Sequence, residues 1–235
     1  MSIYEKKYII ESHDVDMHRK LRLSQLFTFM QEAAIHHTEE LGAGRDKTLD
    51  KGFLWVVTMQ YADIRRLPEY DESITVRSWP GETMHVMFPR FYEIDDEKGE
   101  TIVTGSALWM LMDMKDRKMI FPDEHGISID ARNTGHDPAL PKPLRPLECE
   151  DEFSFHVPYS YTDINGHLSN TRYFDIAEDL LDESEIDRIS HAAVEYSSEA
   201  RYKDNIDIGV HKEKEQLYLS GNRDGKKLFR LLLKY

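Results

Sequence analysis

Cysteine is nearly absent from this chain. Cys149 stands alone among 235 residues, which excludes a disulfide framework within the chain and a four-cysteine zinc site. One thiol fits a reducing compartment. Long apolar runs are missing too. The longest, Ala107 to Met112, is six residues, against the roughly 20 of a membrane-spanning helix, so no membrane span is expected. The opening stretch MSIYEKKYIIESHD is charged and shows no secretory signal, and a cytoplasmic location is expected. Basic side chains are outnumbered, 30 against 44 acidic ones for a net charge of −14, so no nucleic-acid partner is expected, because that needs a basic footprint. The chain contains no G-x-S-x-G elbow, no G-x-G-x-x-G and no G-x-x-x-x-G-K-[ST]. A serine-hydrolase elbow and the usual nucleotide loops are therefore unsupported. What is present is an ordinary globular balance, 40% hydrophobic and 31% charged.

Five prolines, Pro122, Pro138, Pro141, Pro143 and Pro146, crowd one polar stretch. Its composition reads as a linker over 123–150, dividing the chain into domains 1–122 and 151–235. The first domain opens with a strand from Lys7 to Glu11. An amphipathic helix over 21–44 follows, with Leu23, Leu26, Phe27, Met30, Ala33, Ala34, His37 and Leu41 on one face. Strand-like runs come next over 53–67, 73–79, 85–95 and 101–115, separated by turn signals such as Pro80-Gly81. The second domain repeats that order: a strand over 153–161, a helix over 170–182, and strands over 191–202, 206–212, 215–221 and 226–235. The last two are joined by Asn222-Arg223-Asp224-Gly225. Adjacent strands without intervening helices predict antiparallel sheets and an α+β class. Where strand meets helix, Asp14-Val15-Asp16-Met17-His18 and Asp163-Ile164-Asn165-Gly166-His167 share the string D-x-[D/N]-x-H. With the repeated element order, it predicts a tandem duplication.

The second string is the main candidate for chemistry. Helix-start amides bind anions, Asn165 adds a side-chain donor, and His167 can move a proton near neutral pH. Asp163 can orient either group. Asx turns and helix caps use the same residue types, so spacing alone leaves both readings open. Glu199 falls in a predicted strand, where a carboxylate is ordinarily a solvated group. His36-His37-x-x-Glu40 is not H-E-x-x-H, and His37 lies on the apolar helix face, so it reads as a core histidine and no metal is expected. Cys149 sits in the linker, away from any helix start, and is a poor nucleophile candidate.

The stretches LRLSQLFTFMQEAAIHHTEELG, Gly52 to Val57, Ile74 to Pro80, and Asp163 to Asn170 followed by Tyr173 resemble the acyl-acyl-carrier-protein thioesterase family. Its bacterial, FatA/FatB-like members are related to the plant chain-terminating enzymes. The resemblance covers nearly the whole chain. It implies two tandem hotdog domains, each a long helix wrapped by a curved antiparallel sheet. It also implies a thioester hydrolase of fatty-acid biosynthesis that releases the fatty acid from acyl carrier protein, with no cofactor. The family's catalytic residues fall on Asp163, Asn165, His167 and Glu199. Ala200 stands where plant relatives carry a cysteine, which rules out a thiol mechanism there, and Ser169 stands where many relatives carry a second Asn.

The mechanism this implies has Glu199 and His167 activating water, while Asn165 and helix-start amides hold the oxyanion and Asp163 holds the loop. In a variant, a carboxylate attacks directly to form an anhydride. Trp55, Met59 and Tyr173 are expected to bind the acyl chain. Acyl carrier protein is itself acidic, so a local basic patch is needed. Residues 211–235 carry seven Lys and Arg against three acids, and docking is expected among Arg172, Arg201, Lys203, Lys226 and Lys227. Two alternatives share the fold: an acyl-CoA thioesterase, and a non-catalytic acyl-binding module. A tandem hotdog supplies its own pairing, so a monomer and a homodimer are both compatible.

Overall fold

The computed structural model describes residues 3–132 and 134–235. The first half contains β1 (Tyr4–Ile9), α1 (Leu23–Glu40), β2 (Phe53–Ile64), β3 (Ser73–Pro80), β4 (Met87–Asp95) and β5 (Thr101–Asp113). The second contains β6 (Asp151–His156), α2 (Arg172–Glu178), α3 (Glu183–Ile186), β7 (His191–Tyr196), β8 (Asn205–Glu213), β9 (Gln216–Arg223) and β10 (Lys226–Lys234). All ten strands form one antiparallel sheet in the order β1-β3-β4-β5-β2-β7-β10-β9-β8-β6. Read outward from the centre, each half presents its second, fifth, fourth, third and first strand. This is the hotdog architecture, built twice and joined edge to edge.

The join lies on a pseudo-twofold axis. β2 pairs with β7 through Tyr61↔Ala193 and Ala62↔Ala192. On the helical side, Phe27 of α1 stacks on Phe174 of α2 with ring centroids 3.9 Å apart and an interplanar angle of 6°. Such a contact is worth about 0.5–1.5 kcal/mol beyond area burial. The apolar face expected for α1 is buried at every position except Leu41. The helix reaches its sheet closely because β5 carries Gly105. A Cβ there would lie 2.4 Å from the Tyr61 carbonyl oxygen and 2.9 Å from Met30 Cε.

Three elements of the second half differ from expectation. The strand predicted over 153–161 ends at His156, and Tyr159–Tyr161 form a 3₁₀ turn. The helix predicted over 170–182 stops at Glu178 and a new one starts at Glu183. Asp182 and Glu185 form a reciprocal capping box, and this local alternative interrupts the helix. The strand predicted over 191–202 ends at Tyr196. The amides of Ser197 and Ser198 both turn to the Leu228 carbonyl, at 2.7 and 3.1 Å, opposite a bulge in β10. Glu199 is therefore not a strand residue.

The proline-rich segment is a strap more than a tether. The Ala139 carbonyl accepts from Tyr61 Oη at 2.8 Å and Ser106 Oγ at 2.6 Å. The Leu144 amide donates to Glu195 Oε2 at 3.1 Å.

α1 has no side-chain cap of its own. Its first amide, Leu23 N–H, donates instead to Glu178 Oε1 at 3.0 Å, from the end of α2. Glu178 Oε2 is buried without a partner. Burial pushes this carboxyl's pKa up to about 8, against the Leu23 amide and Arg22, and with help from Asp175 and Asp16. A raised carboxyl pKa contributes stability that is full below the ordinary carboxylate pKa and is lost as pH rises toward the folded value. The melting temperature is thus expected to fall between about pH 5 and about pH 8. Glu178→Gln keeps an acceptor for Leu23 and should flatten that slope, melting a few degrees above the parent at about pH 8. Parallel slopes in calorimetry would show that Glu178 is ionised in the fold.

Candidate active site

The loop between β6 and α2 is closed by a bridge between Thr162 and Leu168. Asp163 organises it. Its amide donates to the His167 carbonyl at 2.8 Å, and its Oδ1 accepts the amides of Asn165 and His167 at 2.8 and 3.0 Å. Gly166 sits at φ 74° with nothing near a prospective Cβ, so glycine serves the backbone there, not the packing. Leu168 N–H donates to the Ala200 carbonyl at 2.8 Å. This tethers the loop to the segment that carries Glu199.

The first half contains the same loop, but two positions later than the shared string suggests. Asp16 Oδ1 accepts the amides of His18 and Lys20, Arg19 takes the positive-φ position, and Leu21 N–H donates to the Pro68 carbonyl. Asp16, not Asp14, is therefore the counterpart of Asp163. His18 matches Asn165, Lys20 matches His167, and Leu67 matches Glu199. The duplication is real, and its first copy lacks the histidine and the carboxylate. Its polar side chains are tied down by α3, through His18–Glu183 at 3.0 Å and Lys20–Asp187 at 2.5 Å.

In the second copy, His167 Nε2 lies 3.2 Å from Glu199 Oε2. Glu199 Oε1 pairs with Arg117, which comes from the turn after β5 in the other half. Burial lowers the His167 pKa, with Asp163 opposing and Arg201 and Arg117 reinforcing. These groups face a cleft of about 350 Å³ that Trp55, Val57, Thr58, Met110, Asn165, Tyr173 and Lys226 also line. Beside it, between α1 and the N-terminal sheet, is an apolar cavity of about 240 Å³ walled by Ala34, Ile35, Phe53, Phe88 and Trp109. Leu54, Trp55 and Asn165 line both, so the Asp163 loop stands at their junction.

Two family models match in tandem: the acyl-ACP thioesterase N-terminal domain over residues 1–124 and the acyl-ACP thioesterase C-terminal domain over residues 145–226. The chain belongs to the acyl-ACP thioesterase family. It is 24% identical over 186 residues to the palmitoyl-acyl carrier protein thioesterase of Arabidopsis thaliana, covering 73% of this chain and 45% of that protein. The chain thus spans about half the length of the curated relatives it matches. Among solved structures, an acyl-ACP thioesterase from Bacteroides thetaiotaomicron superposes with a TM-score of 0.88 at 21% identity, covering 99% and 97% of the two chains. The 12:0-ACP thioesterase from Umbellularia californica gives 0.80 at 18%, covering 99% and 96%. At these identities the likeness establishes the fold.

In this chain, the structure brings Asp163, Asn165, His167, Glu199, Trp55 and Tyr173 to one cleft. Met59 is a correction, since it lines neither cavity. β2 carries an extra residue, Thr58, between Val57 and Met59 where the register with β5 shifts. Val56, Val57 and Thr58 line the cleft in its place.

Two of the amides at the start of α2 have backbone partners. Arg172 N–H donates to the Ser169 carbonyl and Phe174 N–H to the Thr171 carbonyl, so these two are engaged locally, and the Asn165 side chain lies at the junction of the two cavities. Of the expected docking residues, Lys226 lines the cleft and Lys227 follows it on β10. Arg172 is engaged with Asp175 at 2.8 Å, Arg201 pairs through its backbone with His167, and Lys203 lies over the Tyr202 ring. Arg117 was not read from the sequence, where nothing distinguishes it from neighbouring surface cations. His37, expected in the core, is fully buried, with Arg90 Nη1 2.9 Å from its Nδ1.

Asp163 acts here as a backbone acceptor. Asp163→Asn keeps one acceptor oxygen and should melt within about 1 °C of the parent. Asp163→Ala strands two amides and should lose about 1 kcal/mol, or 2–4 °C. Equal melting temperatures for all three proteins would refute the loop-holding role.

Proposed function

We propose that this chain hydrolyses fatty acyl thioesters carried on acyl carrier protein, and that Glu199 and His167 together activate the attacking water. The observation that carries the reading is the His167–Glu199 pair, set where an open polar cleft meets an apolar cavity. The cleft suits the pantetheine arm and the apolar cavity suits the acyl chain. Water oxygen bonds to the thioester carbonyl carbon, and the carbonyl oxygen becomes an oxyanion. The Asn165 side-chain amide donates to it. The carbon–sulfur bond then breaks and the departing sulfur takes up a proton, leaving a fatty acid and the free carrier thiol. Asp163 keeps Asn165 and His167 in register.

Thiol release should be measured on a panel of acyl-carrier-protein substrates of different chain lengths, with matching acyl-CoA esters alongside. Hydrolysis should peak at one carrier-bound length. Glu199→Gln and His167→Ala should each lower kcat/KM by about 10²–10⁴-fold. Turnover of acyl-CoA without carrier preference would replace the carrier in this reading. Acyl binding with no turnover of either ester would make the protein a binding module.

The carrier is acidic and this chain carries −14, so encounter needs a locally basic rim. Lys226 and Lys227 at the start of β10 supply one beside the cleft. Reversing both to Glu should raise KM for the carrier substrate by about 10-fold at low salt, and less as salt screens the contact. An unchanged KM would move docking elsewhere.

A further inference from the structure

Glu199 has both carboxylate oxygens engaged, Oε2 toward His167 Nε2 and Oε1 in an ion pair with Arg117. The arginine arrives from the opposite half of the molecule, on a turn with its own construction. Arg117 N–H donates to the Asp113 carbonyl at 3.0 Å, and Asp113 Oδ1 accepts the amides of Lys115 and Asp116 at 2.8 and 2.7 Å. Arg117 takes φ 54°, a left-handed conformation that is strained for a non-glycine residue. None of these backbone contacts requires an arginine. The side chain's partner is the carboxylate across the cleft, and strained backbone held by its surroundings is a recurrent feature of functional sites.

We propose that Arg117 is a positioning residue that holds Glu199 as the ionised, oriented partner of His167, leaving His167 to take the proton from the attacking water. The inference rests on the hydrolase reading above and divides the roles within it. A carboxylate in a charge-assisted pair with a guanidinium is stabilised in its ionised form and is correspondingly weak as a base. With Oε1 fixed by Arg117, Oε2 stays against Nε2. That contact selects the tautomer with its hydrogen on Nε2 and a lone pair on Nδ1. Water then gives one proton to Nδ1 as its oxygen bonds to the carbonyl carbon. The imidazolium, balanced by Glu199, returns that proton to the departing sulfur. The other charged or titratable groups at the pair are Asp163 and Arg201 beside His167, with Lys226, Tyr173 and Tyr196 on the cleft wall. Removing Arg117 takes away a cation that disfavours protonation of His167, so His167 should protonate at higher pH.

The test is the pH dependence of kcat and kcat/KM for Arg117→Ala and Arg117→Lys on an acyl-carrier-protein substrate. Arg117→Ala should lower kcat about 10–100-fold, the range for a residue acting through another group, with KM within about threefold. The acidic limb of the kcat/KM profile should move up by about one pH unit. Arg117→Lys should restore the limb and most of kcat. If Arg117→Ala does not fold, Arg117→Gln gives the same readout. An unmoved limb, or a loss confined to KM, would overturn the inference; the second result would make Arg117 a carrier-docking cation. Glu199→Gln separates the two levels. If it keeps the parent rate, the hydrolase site itself is wrong. If it is inactive while Arg117→Ala matches the parent, only the role of Arg117 falls.

Discussion

The antiparallel pairing of β2 with β7 is the contact on which the rest of this molecule depends. It merges two five-stranded sheets into one and places Tyr61 opposite its own counterpart, Ala193. Because side chains alternate along a strand, a one-residue slip at this seam would exchange the buried and exposed faces of both halves. With the register fixed, α1 and α2 meet on the same side, Phe27 reaches Phe174, and Glu178 caps a helix of the other domain. The candidate site needs the same seam. His167 and Glu199 come from the second half, whereas Arg117, Trp55 and the apolar cavity come from the first. Neither half alone presents the full set.

The order of elements, the α+β class and the duplication were legible in the sequence, because strand alternation and the periodicity of α1 are local patterns. The string Asp163-Ile164-Asn165-Gly166-His167 was legible because a loop that must turn at Gly166 and feed two amides to one carboxylate leaves little freedom of composition. What failed also has physical causes. The repeat was matched on residue letters, Asp14 against Asp163, while the hydrogen bonds match Asp16. An Asx turn is defined by which amides one carboxylate accepts, and Asp14-Val15-Asp16 offers two carboxylates at adjacent registers. Met59 was misplaced because a bulge at Thr58 shifts every later side chain in β2, and no residue in the run announces it. The end of the second helix was present in Asp182-x-x-Glu185, a capping box that the apolar periodicity of Leu180 and Leu181 masked. Arg117 carried no local signal, since its meaning lies in a carboxylate on a separate domain.

Divergence between the two copies explains why one chain presents one such pair. The loop geometry survives in both, down to the positive-φ residue, so it is a folding feature before it is a chemical one. The first copy has Lys20 and Leu67 where the second has His167 and Glu199. A lysine beside a buried leucine offers no neutral base and no carboxylate to orient it. α3, which only the second half possesses, then lays Glu183 and Asp187 against His18 and Lys20. The unused loop is thereby turned into an interdomain contact. Its cavity-forming sheet, relieved of chemistry, is left to shape the apolar cavity.

The proposed division of labour follows from that asymmetry. A site inside one domain would draw its acid, base and binding pocket from one set of strands, and any change in pocket shape would disturb the catalytic geometry. Here the pocket walls, Phe53, Phe88 and Trp109, belong to one half. The loop that carries Asn165 and His167 belongs to the other, and Leu54, Trp55 and Asn165 line both cavities. Substitutions deep in the apolar cavity can therefore change what fits without moving His167 or Glu199. The Arg117–Glu199 pair works in the opposite sense. It fastens the Glu199 carboxylate to the pocket-bearing half, so a displacement of that half reaches the His167–Glu199 pair directly. The shape of the cavity can diverge freely in such an arrangement, while the His167–Glu199 pair stays coupled to the correct docking of the two halves.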